Sequence, residues 1–184
     1  MAQLVYFTGP MNCGKSTLAL QVEWAEADAG RTVHLFTRLD RAGRAVVSSR
    51  IGLSRPAVEV DDAFDFISYV TGELSAGRRV DHLVCDEAHF YRPAQIDQLA
   101  CLVDDFGIDV STFGILTDFR TSMFPGSARL VEMCDRIEYL QARPRCWCGD
   151  PATHNARLIE GQMVVEGEQV AVGDTRGAAE VSYE

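Results

Sequence analysis

The sequence lacks the features that would mark a membrane protein or a general nucleic-acid binder. Its 184 residues contain no apolar run near the ~20 residues that span a bilayer. Only 17 Lys and Arg stand against 27 Asp and Glu, which gives a net charge of −10. Such an acidic chain is poorly suited to bind polyanions broadly. Since the first residues also lack a basic signal segment, we expect a cytoplasmic protein with no nucleic-acid or membrane partner.

Closely spaced cysteines are also scarce, which argues against a disulfide-rich scaffold. Of the six cysteines, only Cys146 and Cys148 are near each other in the sequence, and a cytoplasmic chain is not expected to carry a disulfide framework. A length of 184 residues with 47% hydrophobic residues fits one globular domain with a small appendage. We predict domains at residues 1–143 and 144–184, because the pattern changes after Pro144.

The most informative stretch matches G-x-x-x-x-G-K-[ST], a phosphate-binding loop. An apolar run at residues 4–7 precedes it and a helical pattern from residue 16 to about 29 follows, so the required strand–loop–helix context is present. Glycines let the N–H groups point at one spot, Lys15 can reach the β- and γ-phosphates, and the Ser16 hydroxyl suits Mg²⁺. A chance Gly/Ser turn is the weaker alternative. The predicted phosphate-binding residues are Gly9, Pro10, Met11, Asn12, Cys13, Gly14, Lys15, Ser16 and Thr17.

A second chemical landmark is the apolar run 82–85 followed by two acids. In phosphate-loop enzymes an acid at this point holds Mg²⁺, and we predict this role for Asp86. Glu87 is then placed to accept a proton as general base, with Asp118 as the next candidate. A pair of surface acids at a strand end is the alternative, and the upstream phosphate loop makes it the weaker one.

Strand-like and helical segments alternate along residues 1–143, which predicts an α/β fold with a mainly parallel sheet and ligands at the carboxyl ends of its strands. Residues 40–55 read as an arginine-containing loop, in which Arg50 is either a phosphate contact or a solvated side chain. Residues 117–125 read as a loop at the ligand edge. Two β-like stretches near residues 152–158 and 163–165 give the appendage its β-rich character.

Cys146-x-Cys148 supplies two ligands of a tetrahedral zinc site, which needs four. His154 follows too closely for an ordinary second ligand pair, so a half zinc site and two free thiols both stay open. The pattern leads us to expect that a second ligand pair lies beyond Glu184.

Together these motifs resemble the thymidine kinases of the phosphate-loop type, found in bacteria and in the animal cytosol. The resemblance covers essentially the whole chain. It rests on the phosphate loop, Asp40-Arg41, Ser48–Leu53, Asp86–Phe90, Leu116–Arg120, Phe124–Ser127, Cys146–Gly149 and Gly167–Val170.

The resemblance implies transfer of the γ-phosphoryl group of ATP to thymidine with Mg²⁺. It also implies a RecA-like domain with a small zinc-ribbon-like domain, a homotetramer and inhibition by thymidine triphosphate (dTTP). A closing "lasso" loop would lie near residues 170–183. The nucleoside-contacting residues it implies are Met11, Phe90, Leu116, Phe119, Arg120, Phe124, Asn155, Val170, Val172, Gly173 and Tyr183, and Asp40, Arg41 and Arg50 would serve the ATP side.

Two other function classes compete with this interpretation. Asp86-Glu87-Ala88-His89 also spells the box of a helicase group, which makes a RecA-type ATPase or helicase motor the first alternative. Such motors use two domains of this kind, and the acidic surface disfavours a nucleic-acid track. A nucleotide-binding module without catalysis is the second, and the Asp86–Glu87 pair argues against it.

Overall fold

The computed structural model of the protein describes residues 1–38, 45–142 and 144–169, and the backbone of residues 181–183. The helices are α1 (Lys15–Asp28), α2 (Phe66–Ser75), α3 (Pro93–Phe106) and α4 (Pro125–Met133), with a short 3₁₀ helix at Ala88–Phe90. The strands are β1 (Leu4–Thr8), β2 (Val33–Thr37), β3 (Val46–Ser48), β4 (Ser54–Pro56), β5 (Val58–Glu59), β6 (His82–Cys85), β7 (Asp109–Gly114), β8 (Arg136–Tyr139), β9 (Arg157–Ile159), β10 (Gln162–Val164) and β11 (Val181–Tyr183).

Six of these strands form one parallel sheet in the order β5-β2-β6-β7-β1-β8. Helix α1 packs on one face, and α2, α3 and α4 lie on the other. The predicted α/β architecture with a mainly parallel sheet is therefore confirmed. Because the strands are parallel, the carboxyl ends of β1, β6 and β7 meet at one edge, where the segments that follow them lie close together.

The core is built by side chains that alternate between the two faces of the sheet, as the period of a strand requires. On β6, Leu83 and Cys85 point to the cluster under α2–α4, whereas Val84 points to the cluster under α1. On the α1 side the rings of Phe7 and Phe113 stack with centroids 4.7 Å apart. A slip of one residue in β6 would exchange these two sets and disrupt the packing on both faces, so packing favours the observed register.

Local sequence signals set the ends of the helices. Helix α3 has Pro93 in its first turn and is followed by Gly107, which adopts φ 68° and ends the helix. The Gln95 side chain accepts from the Arg92 N–H at 3.0 Å, which closes the first turn. Helix α2 begins at Phe66, because the Asp65 carboxylate accepts from Ser68 N–H at 2.6 Å and caps the helix there.

The segment 46–56 departs from the prediction of a loop. It forms the antiparallel hairpin β3–β4, closed by a hydrogen bond from Ser49 N–H to Leu53 O at 2.8 Å and by Gly52 at φ 91°. Polar residues and arginines hide the strand alternation in the sequence, although Val47 is fully buried against the α1 cluster. Residues 39–44, which include Asp40 and Arg41, lie outside the described part of the chain.

The end of the chain forms a second, three-stranded antiparallel sheet in the order β10-β9-β11. Strands β9 and β10 fall close to the two predicted β-like stretches, whereas β11 has no counterpart in the prediction. The element order agrees with a β-rich appendage, and a zinc-ribbon fold is not established by these strands. Among the described residues, no helix has both the length and the apolar character needed to cross a membrane.

Candidate active site

The phosphate loop is a tight curl between β1 and α1. Gly14 ends it in a left-handed conformation at φ 89°, directly before the first helical residue, Lys15. A Cβ at Gly9 would lie only 2.8 Å from Cys13 Sγ, so a larger residue does not fit there unless the loop shifts. Lys15 Nζ donates to Gly9 O at 3.1 Å and to Pro10 O at 2.8 Å. The loop therefore holds a cation against its own main chain at the amino end of a helix, which is an arrangement suited to anions.

The remaining loop positions agree with this geometry. Ser16 and Thr17 occupy the first turn of α1, and Asn12 is exposed with φ 65°. Lys15 is also the single lysine of the sequence.

The two predicted acids follow β6 at the same edge of the sheet. Asp86 is buried, and its N–H donates to Phe36 O at 2.8 Å, which extends the pairing of β6 with β2. Glu87 turns the chain with φ 54° and ψ 32°, a left-handed conformation that is uncommon for residues other than glycine. Its side chain remains about one-third exposed. Strained backbone of this kind is concentrated at functional sites, and at Glu87 it lies directly beside the buried Asp86 at the ligand edge of the sheet.

His89 is a buried member of the site whose role sequence reasoning did not assign. Burial, with Lys15 nearby, holds the pKa of His89 well below its ordinary value, so the ring is neutral near pH 7. The distance of 3.5 Å between His89 Nδ1 and Glu87 Oε2 is therefore a polar contact and not an ion pair. The His89 ring also packs against Phe90 and Phe124, with centroids 3.9 and 4.7 Å away. The histidine thus supports the turn that carries Glu87.

The start of α4 packs very closely on this turn. A Cβ at Gly126 would lie 2.6 Å from Tyr91 O and 2.8 Å from the carbonyl oxygens of Ala88 and His89. Only glycine allows this approach without moving main chain. It brings Phe124, which directly precedes α4, to a ring-centroid distance of 5.6 Å from Phe90.

Residues 117–124, here called the acceptor loop, follow β7 and are organised around the Asp118 carboxylate. Asp118 Oδ1 accepts from the N–H groups of Arg120 at 2.8 Å and Ser122 at 3.0 Å. Oδ2 accepts from the Arg120 guanidinium at 3.0 Å and from Gln169 Nε2 at 3.1 Å. Burial alone would raise the pKa of Asp118, but hydrogen bonds from Ser122 and Arg120 outweigh it and leave the pKa below its ordinary value. This carboxylate serves the structure of the loop, which makes it a poor general base.

Asn155 joins the two sides of the site. Its Oδ1 accepts from Met11 N–H of the phosphate loop at 2.7 Å, and its Nδ2 donates to Thr117 O of the acceptor loop at 3.2 Å. Asn155 itself is buried. The predicted nucleoside residues Met11 and Asn155 are thus in direct contact, and Leu116 lies next to Thr117 at the end of this bridge.

The other predicted site residues are distributed as follows. Phe119 is buried beneath the Arg157 guanidinium, whereas Arg120 donates to Asp118 and to Gly167 O. Arg50 lies in the exposed turn of the β3–β4 hairpin, which packs against α1. Tyr183 belongs to β11, whose backbone pairs with β9. Val170, Val172 and Gly173, like Asp40 and Arg41, lie outside the described residues.

The predicted metal ligands differ in how well their surroundings fit a metal. Ser16 and Asp86 offer hydroxyl and carboxylate oxygens at one edge of the sheet, which is the donor type that Mg²⁺ prefers. Cys146 and Cys148 lie in a tight turn closed by Cys146 N–H to Asp150 O at 2.8 Å. Hydrogen bonding from the Asp150 backbone, more than any other contact, lowers the pKa of Cys148. Across the residues that the structure describes, no group of three or more His, Cys, Asp or Glu is arranged to hold a metal ion.

The chain is similar in sequence to known proteins over its whole length. The sequence model of the family described as "Thymidine kinase" matches residues 2–177. A thymidine kinase of Cutibacterium acnes is 55% identical over 184 residues, which cover 100% of this chain and 85% of that protein. A thymidine kinase of Streptomyces avermitilis is 56% identical over 185 residues, which cover 100% of this chain and 86% of that protein. These findings favour the kinase over the helicase alternative. The chain belongs to the thymidine kinase family.

Proposed function

We propose that this protein transfers the γ-phosphoryl group of ATP to the 5′-hydroxyl of thymidine, and also of deoxyuridine, to give the 5′-monophosphate. The observation that carries the proposal is the meeting of three segments at one sheet edge. These are a phosphate loop with its lysine, a turn with Glu87 in a left-handed conformation, and an aromatic acceptor loop. Membership of the thymidine kinase family identifies the acceptor as a nucleoside.

On the phosphate side, the protein mainly has to position groups and balance charge, because phosphoryl transfer needs little covalent help. Lys15 and the first N–H groups of α1 would hold the β- and γ-phosphates. Ser16 and Asp86 would hold Mg²⁺, which supplies positive charge to the phosphate oxygens when it is bound. Glu87 would accept the proton of the 5′-hydroxyl, since its partly exposed side chain leaves the same edge of the sheet.

On the acceptor side, Met11, Phe90, Leu116, Phe119, Phe124 and Asn155 would form the nucleoside pocket, with Arg120 at its rim. Buried aromatic rings give this wall an apolar surface for a base, as the contacts of Phe124 with Phe90 and His89 illustrate. Val170, Val172, Gly173 and Tyr183 would complete the pocket by reading the edge of the base. Asp40, Arg41 and Arg50 would contribute on the ATP side.

The wider properties implied by the family are part of the same proposal. They are a RecA-like domain at residues 1–143, a small zinc-ribbon-like domain at 144–184, a homotetramer, a cytoplasmic location and inhibition by dTTP. Zn²⁺ would be held by Cys146 and Cys148 together with two further ligands, because a structural zinc site needs four.

The test is ADP release from ATP and Mg²⁺ in the presence of single nucleosides, with the monophosphate identified by mass. We expect turnover with thymidine and deoxyuridine and none with deoxyadenosine or deoxyguanosine, because a purine leaves polar groups of the site unpaired. ATP hydrolysis that is independent of nucleoside and rises with single-stranded DNA would instead support the motor alternative.

A further inference from the structure

Arg157 is a buried arginine in β9 whose contacts meet on the acceptor side of the site. It is 4% exposed, although a guanidinium is among the side chains most rarely buried. Burial of a charge is costly unless its donors are used. The groups that Arg157 contacts therefore show which parts of the structure its charge stabilises.

Those contacts form one compact unit, which we call the Arg157 clasp: Arg157, the Phe119 ring, and the carbonyl groups of Glu168 and Gln169. The guanidinium carbon of Arg157 lies 3.8 Å from the Phe119 ring centroid. The guanidinium also donates to Glu168 O at 2.8 Å and to Gln169 O at 3.2 Å. A cation stacked on an aromatic face is attracted more strongly when water is excluded, so the orientation of Phe119 depends on this arginine.

The acceptor loop holds the same short segment from its other side. Gln169 Nε2 donates to Asp118 Oδ2 at 3.1 Å, and the Arg120 guanidinium donates to Gly167 O at 3.1 Å. Residues 167–169 are thus fastened both to the acceptor loop and to Arg157. This double attachment holds the Arg157 guanidinium in its position over the Phe119 ring.

Arg157 also shares its chain segment with Asn155, which contacts the phosphate loop through Met11 and the acceptor loop through Thr117. Residues 155–157 therefore connect the phosphate loop to the acceptor loop through Asn155 and fix the position of Phe119 through Arg157. In a kinase the distance between phosphate donor and acceptor hydroxyl decides the rate, so a segment that spans both sides is more than a packing element.

We propose that Arg157 is a positioning residue for the nucleoside, which acts by fixing Phe119 in the acceptor wall; this rests on the proposed thymidine kinase function. Lysine is expected to replace it poorly. A lysine carries a point charge and lacks the planar guanidinium that stacks on a ring while donating to two carbonyl groups.

The test is steady-state kinetics of Arg157→Lys and Arg157→Met with each substrate varied in turn. We expect the thymidine KM to rise about tenfold or more, with kcat lowered less and the ATP KM within about twofold of the parent, as loss of one desolvated cation–π contact requires. The matched control is Arg136→Lys, an exposed arginine on β8 that pairs with Glu138 at 3.1 Å, and it should leave both constants unchanged. A fall in the fraction of folded protein lowers kcat but not KM, so the KM split separates positioning from general damage.

A double-mutant cycle with Phe119→Leu tests the route of action. Phe119→Leu keeps an apolar side chain but loses the aromatic face, so alone it should also raise the thymidine KM selectively. Because Arg157 is proposed to act through Phe119, adding Arg157→Lys to Phe119→Leu should raise this KM by less than about twofold further. If the effects of the two changes multiply in full, the proposal is wrong.

The controls separate failure of this proposal from failure of the proposed function. A parent protein that does not phosphorylate thymidine contradicts the function itself. An active parent whose Arg157→Lys variant keeps its thymidine KM within twofold contradicts only the role of Arg157. If the Arg157 variants do not fold, the Phe119→Leu variant is measured with Arg157 unchanged. A thymidine KM equal to that of the parent in this variant overturns the proposal.

Discussion

The two sides of the site are built by different means. The phosphate side, residues 9–17 with Asp86 and Glu87, takes its shape from main-chain conformation at the ends of β1 and β6. The acceptor side, residues 117–124, 155–157 and 167–169, takes its shape from side chains that bind groups distant in sequence, as Asn155 binds Met11 and Thr117 and Gln169 binds Asp118. Substitutions on the phosphate side should therefore reduce turnover without lowering the stability of the fold. Substitutions on the acceptor side should weaken nucleoside binding and also lower the stability of the fold.

The largest effect is expected from Lys15→Ala. The side chain is the single lysine of the phosphate loop and the only one in the sequence, and no neighbouring amine can replace its charge. We expect turnover to fall by about 10³-fold or more, with an unchanged thermal unfolding midpoint because Lys15 contributes no apolar burial to the core. Turnover near that of the parent would remove the basis for assigning this side to the phosphates.

Glu87→Gln should follow, with a fall in kcat of about 10²–10⁴-fold, as loss of a general base produces. Glutamine keeps the size and the hydrogen-bonding capacity of the side chain but cannot take a proton, so thymidine binding should change little. The matched control is Asp118→Asn. Since Asp118 organises the acceptor loop, this change should act on the thymidine KM and on stability more than on kcat. If Glu87→Gln instead changes mainly the thymidine KM and Asp118→Asn mainly kcat, then Asp118 and not Glu87 is the general base.

Asn155→Ala tests the bridge between the sides. It leaves Met11 N–H and Thr117 O without their buried partner, so the free energy of unfolding should fall by about 1–3 kcal/mol. Denaturant titration measures this loss. Because the bridge touches both sides, KM should rise for ATP as well as for thymidine, unlike the selective effect expected for Arg157. A rise for thymidine alone would place Asn155 on the acceptor side only.

The smallest effect concerns acid. Burial is the main reason that the pKa of His82 is lowered. Burial also lowers the pKa of His89, which lies further below the ordinary value of a histidine. Near pH 6.5 these two histidines are therefore partly protonated in the unfolded chain but remain neutral in the folded chain. Stability is fully present above that pH and falls below it, by at most about 1.4 kcal/mol per pH unit for each histidine.

Urea unfolding at pH 7.5 and at pH 5.5 measures this slope. His82→Gln, which can keep a hydrogen bond to Ser111 Oγ, should have a smaller slope than the parent. Equal unfolding free energies of the parent at the two pH values would contradict neutral burial of these rings.

The sequence predicted the phosphate side far better than the acceptor side, for a physical reason. The phosphate loop, the Asp86–Glu87 turn and α3 are encoded by neighbouring residues, through glycine conformations, helix caps and periodic burial. The acceptor side depends on contacts such as Gln169 with Asp118, which are 51 residues apart. No local period signals such a contact. Charged residues like Arg157 are normally expected at the surface, so its burial had no signal either.

The hairpin and the third strand of the small sheet were missed for a related reason. In β3–β4 only Val47 is buried on the α1 side, which leaves too few apolar positions to reveal alternation. Strand β11 pairs with β9, some 24 residues earlier in the chain. Strand pairing at a distance is a tertiary outcome that composition does not determine.

The single lysine has a practical consequence for measuring occupancy. Among these 184 residues, Lys15 carries the only side-chain amine that an acylating reagent can modify. A triphosphate bound in the loop should shield this amine. The ratio of modified to unmodified Lys15 peptide after brief acylation would therefore measure the fraction of loops that are occupied.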